Sequence, residues 1–391
     1  MALKQYELPE EKVLAYLKHS KNVLLLEPNY RRQYLPLALA KIASYIKHHG
    51  GAVTFSRSPN ADPGPSGKFD LICITTIFTS DSKIVIRAIK ECKKDMFLHG
   101  VPIIVGGIYA SLMPEHIYSN TGIKSFVGYS KELDRWAPDY SIDWKTKPPW
   151  DDAMLVFTTR GCPNKCGYCM VWRMEPDFYI QENWEEAITG NDKTMAIVSD
   201  NNFLAAPIEH IKSVVDILCK CNKKVLFNNA VDVKLLTEEK ADALARLKYQ
   251  GDGRQGLRFA FDRMGDDGHY QRACELMIKK LNRKNLGSVG LTYILFNFDD
   301  TPQEAYYRAT QAWQYRSFPY LMMYRPLDKL SKADPFTGKY WTPKLARAFK
   351  TWGEMYGFNV GDKTFESWAK SDKSKVKLTA EDWEKWHYKR T

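Results

Sequence analysis

Residues 154–169 read MLVFTTRGCPNKCGYC. The opening Met154–Thr158 is an apolar, β-branched run of the kind that forms a buried strand. The loop after it carries Cys162, Cys166 and Cys169 in a C-x3-C-x2-C spacing. Gly161, Pro163 and Gly167 let the backbone curl, so all three sulfurs are expected to face one point. Thiolates are soft ligands that suit zinc or iron–sulfur clusters. Structural zinc takes four protein ligands, commonly in paired C-x2-C spacings, and no convincing fourth ligand stands nearby. Three cysteines on a cubane cluster instead leave one iron open.

Downstream, short apolar runs recur between amphipathic stretches. Strands are expected at Met195–Val198, Val225–Phe227, Leu257–Phe261, Val289–Phe296 and Tyr320–Tyr324, with helices such as Thr237–Leu247 and Thr301–Tyr315 between them. Six βα units within about 180 residues fit an incomplete barrel better than an eight-fold one, which typically needs about 250. Upstream, strands are expected at Val23–Leu26, Ala52–Phe55, Leu71–Ile77, Pro102–Val105 and Ile123–Val127, with helices at Leu35–His49 and Lys83–Leu98. A Pro/Gly/Ser-rich stretch, Ser58–Lys68, replaces one helix. This alternation predicts an open parallel sheet covered on both faces. The fold class is therefore α/β, with an N-terminal sheet domain over 1–130 and a connector rich in proline and aromatics over 131–150. A βα barrel follows over 151–330, then a small α-rich extension over 331–391.

Over 391 residues, 57 Lys+Arg stand against 46 Asp+Glu, a formal +11, with 44% apolar residues. That is ordinary globular composition. No apolar run approaches the roughly eighteen residues of a membrane span, and the charged N-terminus lacks a signal-peptide core, so a cytoplasmic location without membrane partners is expected. Eight cysteines are too few for a disulfide scaffold. Cys219 and Cys221 read as free thiols near a helix end, and His48 and His49 as partners of a helix C-terminus. Residues 327–391 hold fourteen Lys+Arg against nine Asp+Glu, and five tryptophans, Trp341, Trp352, Trp368, Trp383 and Trp386. Cations beside stacking rings are the chemistry of single-strand binding.

The cysteine loop, its place after the first strand of the second series, Tyr168 before the last cysteine and the Thr159-Arg160-Gly161 lead-in together resemble the radical SAM superfamily. That family's signature is C-x3-C-x-aromatic-C in a partial (β/α)6 TIM-type barrel. The resemblance implies that Cys162, Cys166 and Cys169 bind three irons of a [4Fe-4S] cluster. The fourth iron would chelate the amino and carboxylate groups of S-adenosylmethionine (SAM). One electron then cleaves the sulfonium to methionine and a 5′-deoxyadenosyl radical, which takes hydrogen from the substrate. It also implies a reducing partner such as flavodoxin or ferredoxin.

By position at strand ends, Tyr168, Ser199, Asp200, Asn201, Asn228 and Arg325 are candidates for SAM. In relatives a polar or Gly-Gly-Glu stretch after the second barrel strand holds the SAM ammonium, and the glycines are absent here. Arg258, Asp262 and Asp232 are candidates for substrate. Arg258 and Asp262 share one side of an alternating strand, and a structural ion pair between them is an equal reading. Asp300 is expected as a helix N-cap, with Pro302 in the first turn.

The N-terminal region resembles the Rossmann- or flavodoxin-like cobalamin-binding domain of class B radical SAM methylases. Thr75 and Thr76, and Gly106 and Gly107, stand at the ends of its third and fourth strands, where such a ligand binds. The Asp-x-His-x-x-Gly motif is absent, Asn29-Tyr30-Arg31-Arg32 occupying that loop, so a domain that only packs on the barrel is the other reading. Four activities stand open: SAM cleavage acting on an unidentified substrate, cobalamin-dependent methylation, modification of a nucleotide or nucleic-acid base, and a non-catalytic iron–sulfur binding protein.

Overall fold

The computed structural model describes residues 4–390 except 32, 65–66, 96–97, 149, 251–254, 331–335, 357–363 and 389. Arg32, the middle of the Ser58–Lys68 stretch and two residues near the end of the expected Lys83–Leu98 helix thus lie outside the described residues.

In the first third, apolar runs form a parallel sheet whose two central strands are buried on both faces while the edge strands are half-buried. The strands are β1 (Asn22–Leu26), β2 (Ala52–Ser56), β3 (Leu71–Thr76) and β4 (Ile103–Gly107). They pair in parallel in the order β2-β1-β3-β4. One core packs Leu25 and Cys73 against the helix Leu37–His48, and the other packs Leu24 and Ile74 against the helix Ser82–Lys94. The expected strand at Ile123–Val127 does not form. Only Ser125 makes bridges there, to Glu7 and Val105. His49 caps the helix Leu37–His48, its Nδ1 lying 2.9 Å from the Tyr45 carbonyl.

The second series supplies β5 (Ala153–Val156), the short antiparallel pair β6 (Thr159–Arg160) and β7 (Tyr179–Ile180), β8 (Met195–Val198), β9 (Lys224–Phe227), β10 (Lys248–Tyr249), β11 (Leu257–Ala260), β12 (Gly290–Phe296) and β13 (Phe318–Met323). Two parallel sheets result, β10-β9-β8-β5 and β11-β12-β13. They meet at a parallel bridge between Val231 and Phe259, with Phe227 N donating to the Gly256 carbonyl at 2.8 Å. Leaving aside the short β10, parallel strands β5, β8, β9, β11, β12 and β13 follow one another across the seam in chain order. The molecule is a mixed α/β fold built on parallel sheets. No helix among the described residues is long and apolar enough to cross a membrane.

The connector over 131–150 is packed: Trp144 is buried in the N-terminal core, and the Tyr140 hydroxyl bonds to both N and O of Leu155 in β5. The basic tail is also core. Trp341, Trp352, Trp368 and Trp386 are buried in one cluster with Phe296 and Leu321, which removes them as a stacking surface for single strands. The reason is amphipathic spacing. The helix Pro343–Tyr356 turns its aromatic side onto β13 and leaves Arg347, Thr351 and Glu354 exposed.

Candidate functional site

The loop between β6 and the helix Val171–Met174 is held at its base by charge. Arg160 is buried, and its Nε and Nη2 reach the Asp134 carboxylate at 2.6 and 2.5 Å. Lys41, from the helix Leu37–His48, reaches the same carboxylate at 2.7 Å. Burial pushes the Asp134 carboxyl up, but Arg160 and Lys41 outweigh it and hold the group below the usual carboxylate range. Gly161 comes next, at φ +71°, and a Cβ there would sit 2.0 Å from the Asp177 carbonyl oxygen, so only glycine fits. Its N–H donates to Glu175 Oε2 at 3.0 Å, and Asn201 Nδ2 donates to the same oxygen at 2.9 Å.

Cys162, Cys166 and Cys169 are all half-buried free thiols. Burial pushes Cys162 and Cys169 above the usual thiol range, the Asn164 N–H opposes this at Cys162, and the neighbouring sulfurs add to it as like charges. The three sulfurs therefore share one electrostatic neighbourhood, and a cationic group bound among them would reverse the shift. Among the described residues no three His, Cys, Asp or Glu side chains are grouped so that they could hold a single metal ion.

The end of β8 does two jobs. Asp200 is buried and faces the chain entering the loop, accepting from Thr158 N and Thr159 N at 3.1 and 2.5 Å and from both hydroxyls at 2.8 and 2.6 Å. Thr158 Oγ1 also meets His210 Nε2 at 3.1 Å. Ser199 Oγ turns back to the Ile197 carbonyl. Asp200 and Asn201 thus spend their side chains within the protein, on the entry to the cysteine loop and on Glu175. The residue that does face the cysteines is Asn202, which sequence reasoning passed over by one position. It is buried, its Nδ2 lies 3.7 Å from Cys162 Sγ and 3.2 Å from Asp232 Oδ2, and its Oδ1 has no hydrogen-bond partner. Asp232 also accepts from Asn164 Nδ2 at 2.9 Å, tying the cysteine loop to the segment after β9.

Tyr168 points its hydroxyl at Asp262 Oδ2, 3.4 Å away, and stands edge-on to Phe298. Asp262 also accepts from Leu295 N at 2.8 Å, and burial pushes its carboxyl up to about 6. Arg258 does not pair with it. The Arg258 Nη1 donates to the Asn228 carbonyl at 3.2 Å and to the Tyr293 hydroxyl at 2.5 Å. Asp300 is not the helix cap: Thr301 takes that place in a capping box with Glu304, and Asp300 instead pairs with the buried Arg308. Arg325 is exposed and lines a cavity of about 170 Å³ with Ile77, Phe78, Thr79 and Ile108, facing the N-terminal sheet and not the cysteines.

At the carboxyl edge of the N-terminal sheet the expected ligand contacts are satisfied by the chain itself. Thr76 Oγ1 donates to the Gly106 carbonyl at 3.0 Å and accepts from Ala110 N at 2.9 Å. Gly107, at φ +106°, is needed because a Cβ would lie 2.2 Å from the Thr76 carbonyl oxygen; beside Gly106 a Cβ meets only Phe126, at 3.7 Å. Thr75 is half-buried, in register with Gly106. Thr79 Oγ1 bonds to the Lys329 carbonyl, and Leu330 packs into the sheet's core. The 170 Å³ left is below the roughly 300 Å³ of even small ligand cavities. These residues do not fit cobalamin.

A cavity of about 870 Å³ lies elsewhere, between the helices Leu37–His48 and Trp184–Thr189, and none of these candidates lines it. No protein-family model matches the sequence, and no curated protein matches it.

Proposed function

We propose that this chain is a radical SAM enzyme, its six parallel strands forming a partial (β/α)6 barrel and its N-terminal sheet a Rossmann-like domain that packs on it. One observation carries the reading. Three thiols sit on the loop after the first of six parallel strands in chain order, and beside the first of them, Cys162, stands Asn202, whose buried amide oxygen the protein leaves unpartnered. A buried polar atom without a partner is costly unless a ligand meets it.

The donor set fits a [4Fe-4S] cluster. Cys162, Cys166 and Cys169 are soft ligands, and amide N–H groups face two of the sulfurs, that of Asn164 at Cys162 and those of Met170 and Val171 at Cys169. Such hydrogen bonds hold thiolate charge and tune a cluster. When bound, the cluster supplies one electron to SAM, giving methionine and a 5′-deoxyadenosyl radical that abstracts hydrogen from substrate. The chain's own residues orient that chemistry. Asp134, Arg160 and Gly161 fix the loop's entry, Asp200 anchors its backbone from below, and Asp232 holds Asn164 on its far side. Asn202 offers its free oxygen to an ammonium beside Cys162, and Tyr168, braced by Asp262 and Phe298, closes the apolar side.

The test is anaerobic reconstitution with iron and sulfide, followed by dithionite and SAM. The expected result is about four irons per chain and release of 5′-deoxyadenosine and methionine. Cys166→Ala is expected to lose both while unfolding with the same N-terminal sheet signal. A full cluster with no 5′-deoxyadenosine would leave the non-catalytic iron–sulfur protein as the correct reading.

A further inference from the structure

The sheet β11-β12-β13 has two unlike faces. Leu257, Phe259, Ile294, Phe296 and Leu321 are buried in the main core on one side. Strand alternation puts Arg258, Ala260, Tyr293, Leu295, Tyr320 and Met322 on the other, and all six are half-buried or exposed. Register aligns Ala260 with Tyr293 and Tyr293 with Tyr320.

On that open face Arg258 is a cation without a counter-ion. Its guanidinium lies over the Tyr293 ring, 5.6 Å from the centroid, and its two recorded bonds go to neutral oxygens, the Asn228 carbonyl and the Tyr293 hydroxyl. Its Nε is buried with no partner, and no carboxylate among the described residues forms an ion pair with it. A half-buried guanidinium edge with a free N–H is a ready site for a charge-assisted hydrogen bond to an anion. Beside it Tyr320 meets Tyr293 edge-on, centroids 5.8 Å apart and planes at 82°, and keeps 43% of its surface exposed. The small side chain of Ala260 keeps the floor low between the cation and the cysteine end of the strand. Asp262, the next residue on this side, already bonds to Tyr168 and Leu295, and it lies about 13 Å along the strand from Arg258.

We infer that this face is the substrate seat, and that it takes a planar aromatic ring carrying an anionic group: the anion on the Nε edge of Arg258, the ring on Tyr320. This rests on the radical SAM reading for the word substrate, but the seat's chemistry stands on Arg258 and the two tyrosines alone. Nucleoside monophosphates and aromatic carboxylates share that chemistry.

The experiment is calorimetric titration of the anaerobically purified full chain, with S-adenosylhomocysteine saturating so that any SAM site is filled. The probes are adenosine 5′-monophosphate, 4-hydroxybenzoate, adenosine and ribose 5-phosphate. One of the two anionic ring compounds is expected to bind at least tenfold tighter than adenosine or ribose 5-phosphate, and which one does so identifies the class. Arg258→Gln should weaken that binding at least tenfold without changing adenosine, and Tyr320→Ala should weaken every ring-bearing probe. Absence of binding by both anionic ring compounds overturns the inference. So does wild-type affinity in a folded Arg258→Gln protein, or binding seen only when S-adenosylhomocysteine is omitted, which would give Arg258 to the SAM carboxylate. Titration needs no electron and no turnover, so its outcome is separate from 5′-deoxyadenosine release.

Discussion

Each half of the molecule places a half-buried arginine beside its sheet, each with an unpartnered Nε, and the two differ in whether a carboxylate answers the charge. Arg57, just after β2, donates to buried Glu27 and to the Trp144 carbonyl. Arg258, in β11, has only neutral oxygens around it. The same contrast runs along the strand ends. After β3 and β4 the chain satisfies itself through Thr76, Gly107 and Thr79, whereas after β8 it leaves Asn202 Oδ1 bare. A self-satisfied edge is built for packing, and an edge with unmatched groups is built for a ligand. Similar topology therefore does not carry similar function.

The sharpest way to break this comparison is to remove each arginine in turn. Arg57→Met leaves Glu27 buried without its partner and is expected to cost about 3–5 kcal/mol. Arg258→Met removes a charge that nothing in the protein balances, and stability should stay within about 1 kcal/mol of wild type. Urea unfolding measures both, and equal losses would erase the distinction.

Next in size is a pH effect. Burial pushes the Glu27 carboxyl up to about 7, against the lowering pull of Arg57. A carboxyl whose folded value is raised binds its proton more tightly in the native state. Stability should therefore fall as pH rises from about 4.5 to about 7, by up to about 1.4 kcal/mol per unit, and level off above. Glu27→Gln should flatten that slope in urea titrations across the range. Asp134 works the other way, since its lowered value stabilises the fold above the usual carboxylate range and is lost on acidification below it.

The smallest effect compares adjacent glycines. Gly107→Ala forces a side chain into a positive φ and against the Thr76 backbone, at about 2 kcal/mol or more. Gly106→Ala meets one ring at ordinary contact distance and should cost less than about 1 kcal/mol. Thermal melts of the pair would show whether these glycines serve the chain, as the contacts have it, or a ligand.

The parallel strands were legible because continuous apolar runs such as Val23–Leu26 and Met195–Val198 admit few other arrangements. The requirement for glycine at 161 was legible too, through the curl it allows. Side-chain direction at strand ends was not. Period-two alternation stops where the strand stops, so nothing in Ser199-Asp200-Asn201-Asn202 announces which residue turns toward the cysteines. Composition also misread the tail, because tryptophans among lysines look alike whether the rings face solvent or, as with Trp352 and Trp368, the core.

The ion triad of Lys41, Asp134 and Arg160 has a consequence for how this protein can be dissected. Its three members come from the first sheet's helix, the connector and the threshold of the cysteine loop. A fragment starting at Trp150 would leave the Arg160 guanidinium, next to Gly161, with only the more distant Glu175 carboxylate at 3.5 Å. Splitting the chain at its apparent seam would therefore loosen the entry to the very loop one hoped to isolate.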